Sequence, residues 1–376
     1  MSWPLVAIKE VAKVVTGKTP STVDDQNFGG DIPFVTPAEL GLETYVTSAP
    51  RTLSAKGASA IKLVPNNAVM VCCIGSLGKM AIAGTPVATN QQINSVIFDE
   101  NRVDAKYGFY ALQLLKPKME AMAPSTTVAI INKGNFEAMQ IPLPPLPEQK
   151  RIAAILDKAD AIRLKHQQAI QLVDDFLRAV FLDMFGDPVS NPKGWPKKSL
   201  KLLGKSATGR TPPGEKVGMW GEGLPFVTPG DLCGKVDSSV REVTREGAEY
   251  SKICRKGSLL VCCIGTVGKV GIAGRSLAFN QQINAQEWGS EISDIYGFFV
   301  FKLSPGLVSS KAIQTTLPIL KKSLFDEIEI PVPPIGLQEK FSAIAQKVSE
   351  SSLRHESGLN TPLFESLSQL AFSGQL

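Results

Sequence analysis

Gly75-Ser76-Leu77-Gly78-Lys79 is the segment of this chain that most invites reading as a phosphate loop. A P-loop needs four residues between its glycines and a Ser or Thr after the lysine. Here only Ser76 and Leu77 intervene and Met80 follows; in a second occurrence of the segment Val270 follows Lys269. That spacing cannot cradle a nucleotide. The cysteines fail a similar test. Cys72-Cys73 and Cys262-Cys263 each lie in a Val-Cys-Cys-Ile-Gly run. Neighbours in a strand point to opposite faces, so neither pair can clamp one metal ion. With no Cys-x-x-Cys spacing and only two histidines, the thiols read as reduced, small packing hydrophobes, and no metal site is expected. No G-x-G-x-x-G opens a helix, no Asp/Asn-Pro-Pro-Tyr/Phe segment of amino-methyltransferase type occurs, and no nuclease-like carboxylate cluster stands out. The chain reads as catalytically empty.

What it does offer is a set of cations and amides suited to a polyanion. Lys18, Arg210, Lys79, Lys269, Lys133, Lys321 and Lys322 are loop cations, readable either as phosphate clamps or as plain solvated surface. Asn90-Gln91-Gln92 and Asn280-Gln281-Gln282 could bond adenine edges bidentately, or equally serve as amides that stabilise the fold. Thr36 and Thr228 complete the candidate contact set. The net charge of +5 permits such a partner without requiring one.

The elements that must hold these residues come in duplicate. Trp3-Pro4 recurs as Trp195-Pro196, Thr16-Gly17-Lys18-Thr19-Pro20 as Thr208-Gly209-Arg210-Thr211-Pro212, and Pro33-Phe34-Val35-Thr36-Pro37 as Pro225-Phe226-Val227-Thr228-Pro229. Tyr107-Gly108-Phe109 and Ile141-Pro142-Leu143-Pro144-Pro145 likewise return at Tyr296 and Ile330. The offset narrows from 192 (Trp3 to Trp195) through 190 (Val71 to Val261) to 189 (Tyr107 to Tyr296), with order kept throughout. This is duplication of a whole unit separated by small loop deletions.

Each unit has a mixed part and a helical part. In the first copy, Ala68 to Ile74 and Ile93 to Phe98 predict β-strands, and Asp104 to Lys116 predicts a helix stopped by Pro117. After the Pro-rich stretch Ile141 to Pro147, a long helix is predicted from about Glu148 to Phe185, ended by Gly186 and Pro188. Its apolar residues alternate by three and four: Ile152, Ile155, Ala159, Ile162, Ala169, Val173, Phe176 and Val180, interrupted by His166. Such a stripe needs a partner helix. The second copy supplies one from Gln338, with Phe341, Ile344 and Val348 matched, His355 opposite His166, and a bend expected at Gly358 and Pro362.

The fold class expected is therefore α+β. Two similar globular recognition domains, 1–147 and 187–336, are separated by two long antiparallel coiled-coil helices, 148–186 and 337–376, in a pseudo-two-fold tandem repeat. A helix of roughly 38 residues is about 57 Å long. A duplicated domain on such a ruler suits a duplex target read as two half-sites, one helical turn being ~34 Å, or equally a duplicated scaffold that binds protein or a small ligand at each end. The two histidines would fall near the pseudo-dyad, as register-setting polar residues rather than catalysts.

These residues carry a family resemblance. The Thr-Gly-x-Thr-Pro and Ile-Pro-Phe-Val-Thr-Pro segments, the Gly-x-x-Gly-Lys and Asn-Gln runs, and the linkers Ile141 to Gln149 and Ile330 to Gln338 resemble specificity subunits of type I restriction–modification systems. So do the helix end Phe181 to Pro188 and the tail Ala371 to Gly374, and the match spans both copies in order. The resemblance implies two target-recognition domains, each reading half of a bipartite DNA sequence. It also implies spacer helices on which two modification subunits dock, alongside restriction/translocase subunits. S-adenosylmethionine, ATP and Mg would then belong to the partner chains, leaving no cofactor in this one. The loops that differ between copies, Ser21 to Gly30 against Pro213 to Gly221 and Ala38 to Arg51 against Gly230 to Arg241, are the preferred specificity elements. The likeness of the copies predicts a near-inverted repeat around a nonspecific gap. A duplicated DNA-binding adaptor without restriction partners is the alternative, and an enzyme with a site between the domains is a further rival. No apolar run approaches the ~18 residues that span a bilayer, and the N-terminus lacks a signal-peptide layout. A soluble, cytoplasmic protein without membrane partners is expected.

Overall fold

A computed structural model describes residues 3–123, 128–214, 216–313, 317–356 and 362–376, with side chains described outside 351–363. The chain forms two compact units, residues 1–166 with 358–376, and residues 167–357. The helical spacers are thus not bodies of their own. Residues of both spacers fall in each unit.

In the first unit a five-stranded sheet runs in the order Ala12–Thr16, Ile93–Phe98, Val69–Cys72, Met80–Ala83, Tyr45–Val46. All neighbours are antiparallel except the last pair. Both faces of its centre are covered, so its strands are continuously apolar rather than alternating. Val69, Val71 and Cys73 enter one core, while Met70 and Cys72 enter the other. Burial pushes the Cys73 thiol up to about 12, as it does that of Cys263 in the second unit, so both stay protonated at neutral pH. A smaller sheet, Thr52–Leu53, Phe28–Val35, Ala88–Thr89, flanks it. The strand Leu5–Ala7 pairs with Gln140–Pro142 and closes the domain against its linker.

Helix Ala105–Gln113 starts as anticipated, with the Asp104 carboxylate accepting from the Lys106 and Tyr107 amides. Pro117 corrects the expected ending. It lies in the first turn of a further helix, Lys116–Met122, where its missing N–H costs nothing. The glycine of Tyr107-Gly108-Phe109 has a packing cause: a Cβ there would lie 2.2 Å from Phe98 Cε2, and one at Gly297 2.4 Å from Trp288 Cε2.

The second unit repeats the scheme. Its five-stranded sheet has the order Gly204–Thr208, Ile283–Trp288, Leu259–Cys262, Val270–Ala273, Gly234–Val236. The smaller sheet gains Lys252–Cys254 as a fourth strand beside Leu277–Phe279.

The long helix covers Leu146–Phe185, starting two residues before Glu148 because Pro147 is tolerated in a first turn. It ends at Gly186, whose φ of +79° favours glycine and whose N–H donates to the Leu182 carbonyl. In the first unit, Ile152, Ala153, Leu156 and Ala159 are buried, Ile155 is half-buried, and Ala371 and Phe372 from helix Pro362–Ser373 join the same core. In the second, Phe341 of helix Ile335–Glu356 meets Phe181 and Phe185 edge-on at 5.3 and 5.7 Å. Within each unit, then, the start of one helix packs against the end of another. Ile344 and Val348 are half-buried against that core, as is Val173.

The expected seam needs correction along its length. Phe176 is 50% exposed and Ile162 38%, whereas Leu177 and Phe181 are buried. A straight helix drifts about 20° per heptad against a strict seven-residue repeat, so between Ile152 and Phe176 the stripe rotates by roughly 70°. His166 is half-buried. The side chain of His355 and the bend placed at Gly358 lie outside the described residues. Among the described residues no helix is long and apolar enough to cross a membrane.

Candidate nucleic-acid interface

Sheet register brings the candidate contacts of the first unit to one edge. Thr16 pairs with Asn94, Val71 with Asn94 and Met80, and Cys72 with Ile93. The loops carrying Lys18, Lys79 and Asn90-Gln91-Gln92 therefore leave the sheet at the same end. Ile74 bridges Ile130 and Ile131 N–H donates to the Cys73 carbonyl, which draws in the segment leading to Lys133. Thr36 follows Val35, which pairs with Thr89 next to Asn90. The second unit repeats the edge through Thr208–Asn284, Val261–Asn284 and Val227–Phe279. The bridge Ile264–Ile319 delivers Lys321 and Lys322 there.

Hydrogen bonding then divides the set. Asn90 Nδ2 donates to Gln92 Oε1 at 2.9 Å, and Gln92 N–H donates back to Asn90 Oδ1 at 3.1 Å. Asn280 and Gln282 do the same at 3.0 and 3.1 Å. These four residues shape the turn, and Asn90 and Asn280 are each 8% exposed. Gln91 and Gln281 point outward. Each holds a hydroxyl of the Thr-Gly-x-Thr-Pro loop on its amide oxygen, from Thr19 at 2.7 Å and Thr211 at 2.5 Å. That bond fixes the carboxamide plane and leaves the NH₂ group as the available donor.

The glycines of the facing loops permit this closeness: a Cβ on Gly17 would lie 2.1 Å from the Asn90 carbonyl oxygen, and one on Gly209 2.0 Å from that of Asn280. Thr36 is tied to Glu39 Oε2 through its N–H and hydroxyl, at 2.7 and 2.9 Å. Thr228 is bound likewise to Asp231. Both threonines thereby cap a turn.

The cations divide too. Lys269 Nζ donates to the Pro229 carbonyl at 2.7 Å, Lys133 pairs with Glu137 at 3.4 Å, and Lys322 pairs with Asp326 at 2.6 Å and bonds Ser206 Oγ at 2.9 Å. Lys18, Lys79, Arg210 and Lys321 are exposed and have no side-chain partner among the described residues. Lys79 also lines a cleft of about 520 Å³ with Lys116 and Arg163.

Two pairs of positioning residues were not recognised from sequence. Gln149, fully buried, accepts from Asp104 N–H and donates to the carbonyls of Arg102 and Pro144. Gln338 repeats this with Ser293, Glu291 and Pro333. Each amide pins its domain to the first turns of a spacer helix. Trp195 Nε1 donates to the Phe185 carbonyl, and Trp3 Nε1 to that of Ala371, both at 2.9 Å, gripping a helix end. The signal was present as repetition of Trp-Pro and of the final Gln of each linker, but repetition alone does not tell a pin from a contact.

The family model described as the type I restriction modification DNA specificity domain matches residues 2–173 and again 192–362. The MjaIX type I restriction enzyme specificity subunit of Methanocaldococcus jannaschii is 24% identical over 387 residues, covering 94% of this chain and 88% of that protein. The EcoR124I/EcoR124II specificity subunit of Escherichia coli is 30% identical over 162 residues, 41% of this chain and 40% of that one. The fold is similar to the crystal structure of a type I restriction–modification S subunit from M. genitalium, with a TM-score of 0.60 and 16% identity over 100% of this chain and 96% of that one.

Proposed function

The chain belongs to the family of type I restriction modification DNA specificity proteins, whose domain it carries twice, and from that premise we propose a division of labour within it. The chain is a DNA sequence-specificity subunit. Each unit reads one half of a bipartite duplex target with the loop edge described above, and the spacer helices set the gap between halves. The observation that carries this reading is the repetition of that edge: an outward amide and an unpartnered cation recur as Gln91 with Lys18 and Gln281 with Arg210. Cations of this kind contact phosphates and fix register, while outward amides face base edges.

The long helix presents Leu172, 69% exposed, and Phe176, 50% exposed. An uncovered apolar face of this kind suits the docking of modification subunits. In this reading S-adenosylmethionine, ATP and Mg act in partner subunits, as the family resemblance implies. Purified chain incubated with duplex DNA, S-adenosylmethionine and ATP is expected to leave the DNA unmodified and uncut. Adding the modification subunits encoded with it should yield adenine methylation. Methylation or cleavage by the chain alone would overturn the division of labour.

A further inference from the structure

Two exposed arginines at the same loop edges are held against aromatic rings. Arg51 lies over Phe28, with 4.6 Å from Cζ to the ring centroid, and 5.7 Å from that of Phe34. Arg241 lies over Trp220 at 3.6 Å. Beneath them the rings pack edge to face, Phe28 on Phe34 at 6.4 Å and Trp220 on Phe226 at 4.9 Å. Phe34 and Phe226 are each 2% exposed, so each stack is anchored in a small core.

Register carries both arginines to the interface. Phe34 N–H donates to the Arg51 carbonyl, and the next residue, Val35, pairs with Thr89 beside Asn90-Gln91. Phe226 N–H donates to the Arg241 carbonyl, and Val227 pairs with Phe279 beside Asn280-Gln281. Neither guanidinium has a carboxylate or carbonyl partner among the described residues. An arginine seated this way has lost much of its rotamer freedom before binding, yet keeps its N–H edge open. Lys18 and Arg210 lack any such seat.

We propose that Arg51 and Arg241 are base-reading residues, each donating two hydrogen bonds to the O6 and N7 of a guanine in the half-site its unit recognises. The inference rests on the reading of each unit as a half-site reader. Bidentate contact with guanine is the pairing that a planar, pre-aimed guanidinium makes best in the major groove. Because both copies keep the device, the two half-sites should share a guanine at the matched position, on opposite strands.

The test uses the full chain with its modification subunits, expressed in a host without other adenine methylation, and maps methylated sites by single-molecule sequencing. Arg51→Lys and Arg241→Lys keep the charge and the aliphatic stem but lose the fork. Arg51→Lys should relax one G·C position in one half-site by about ten- to a hundredfold in preference, leaving the other half-site intact. Arg241→Lys should do the reverse. The untouched half-site serves as an internal control for folding. Unchanged motifs, a uniform loss of methylation at all sites as expected of a phosphate clamp, or loss of one entire half-site would each overturn the inference. If the unsubstituted chain itself yields no bipartite motif, the underlying reading of two half-site readers fails instead.

Discussion

Removing the fully buried Gln149 carboxamide would leave the Asp104 N–H and two carbonyls without their partner. Net hydrogen bonds contribute about 1 kcal/mol each and a stranded buried group costs about 1–3. Gln149→Ala should therefore lower stability by about 3 kcal/mol, read from urea unfolding. Gln91→Ala, at an exposed position, should change stability by less than about 0.5 kcal/mol while weakening duplex binding. The opposite ordering would mean that the buried amide does not pin the linker. The contrast also shows what composition hides. Gln91 and Gln92 are adjacent and identical in type, but the turn folds one amide inward onto Asn90 and leaves the other at the surface. Thr36 and Lys269 were legible as matched positions, but not as groups already bound by Glu39 and by the Pro229 carbonyl. Thr36-Pro37-Ala38-Glu39 has the spacing of a capping box, a local signal left unread, whereas nothing in local spacing encodes the Lys269 bond.

At the level of elements, β-branched runs located the central strands, and the stretch from Asp104 read as a helix, because these signals are local. The helix seam was legible in part: Val173, Val180, Ile344 and Val348 pack against the second core as expected, but not every position of the stripe does. Ile152 and Ala159 are buried, but the drift of an α-helix against a seven-residue repeat turned Phe176 outward and brought Leu177 and Phe181 inward. Phe181 stacks on Tyr296 at 5.6 Å and touches Phe341 edge-on at 5.3 Å. Phe181→Ala should cost about 3–5 kcal/mol. Phe176→Ser should leave stability within about 0.5 kcal/mol yet reduce co-purification of the modification subunits. A large stability loss in Phe176→Ser would restore the strict heptad seam. Full retention of those subunits would remove Phe176 from the docking face.

For the whole molecule, the duplication was legible because the motifs that recur are those with stereochemical duties. Gly17 and Gly209 admit a neighbouring carbonyl, and Tyr107 and Tyr296 donate their hydroxyls to the linker carbonyls of Pro142 and Pro331. Helix Leu146–Phe185 reads as one continuous pattern, whereas packing assigns its two ends to different cores. If the repeated loop edges each read a half-site as proposed, specificity is modular. The most direct measurement is the methylome of a chimera in which residues 187–336 are replaced by a second copy of residues 1–147, assembled with the same modification subunits. A perfect inverted repeat of the first half-site around the gap is expected. Methylation at the original target, or at sites with no inverted symmetry, would contradict it.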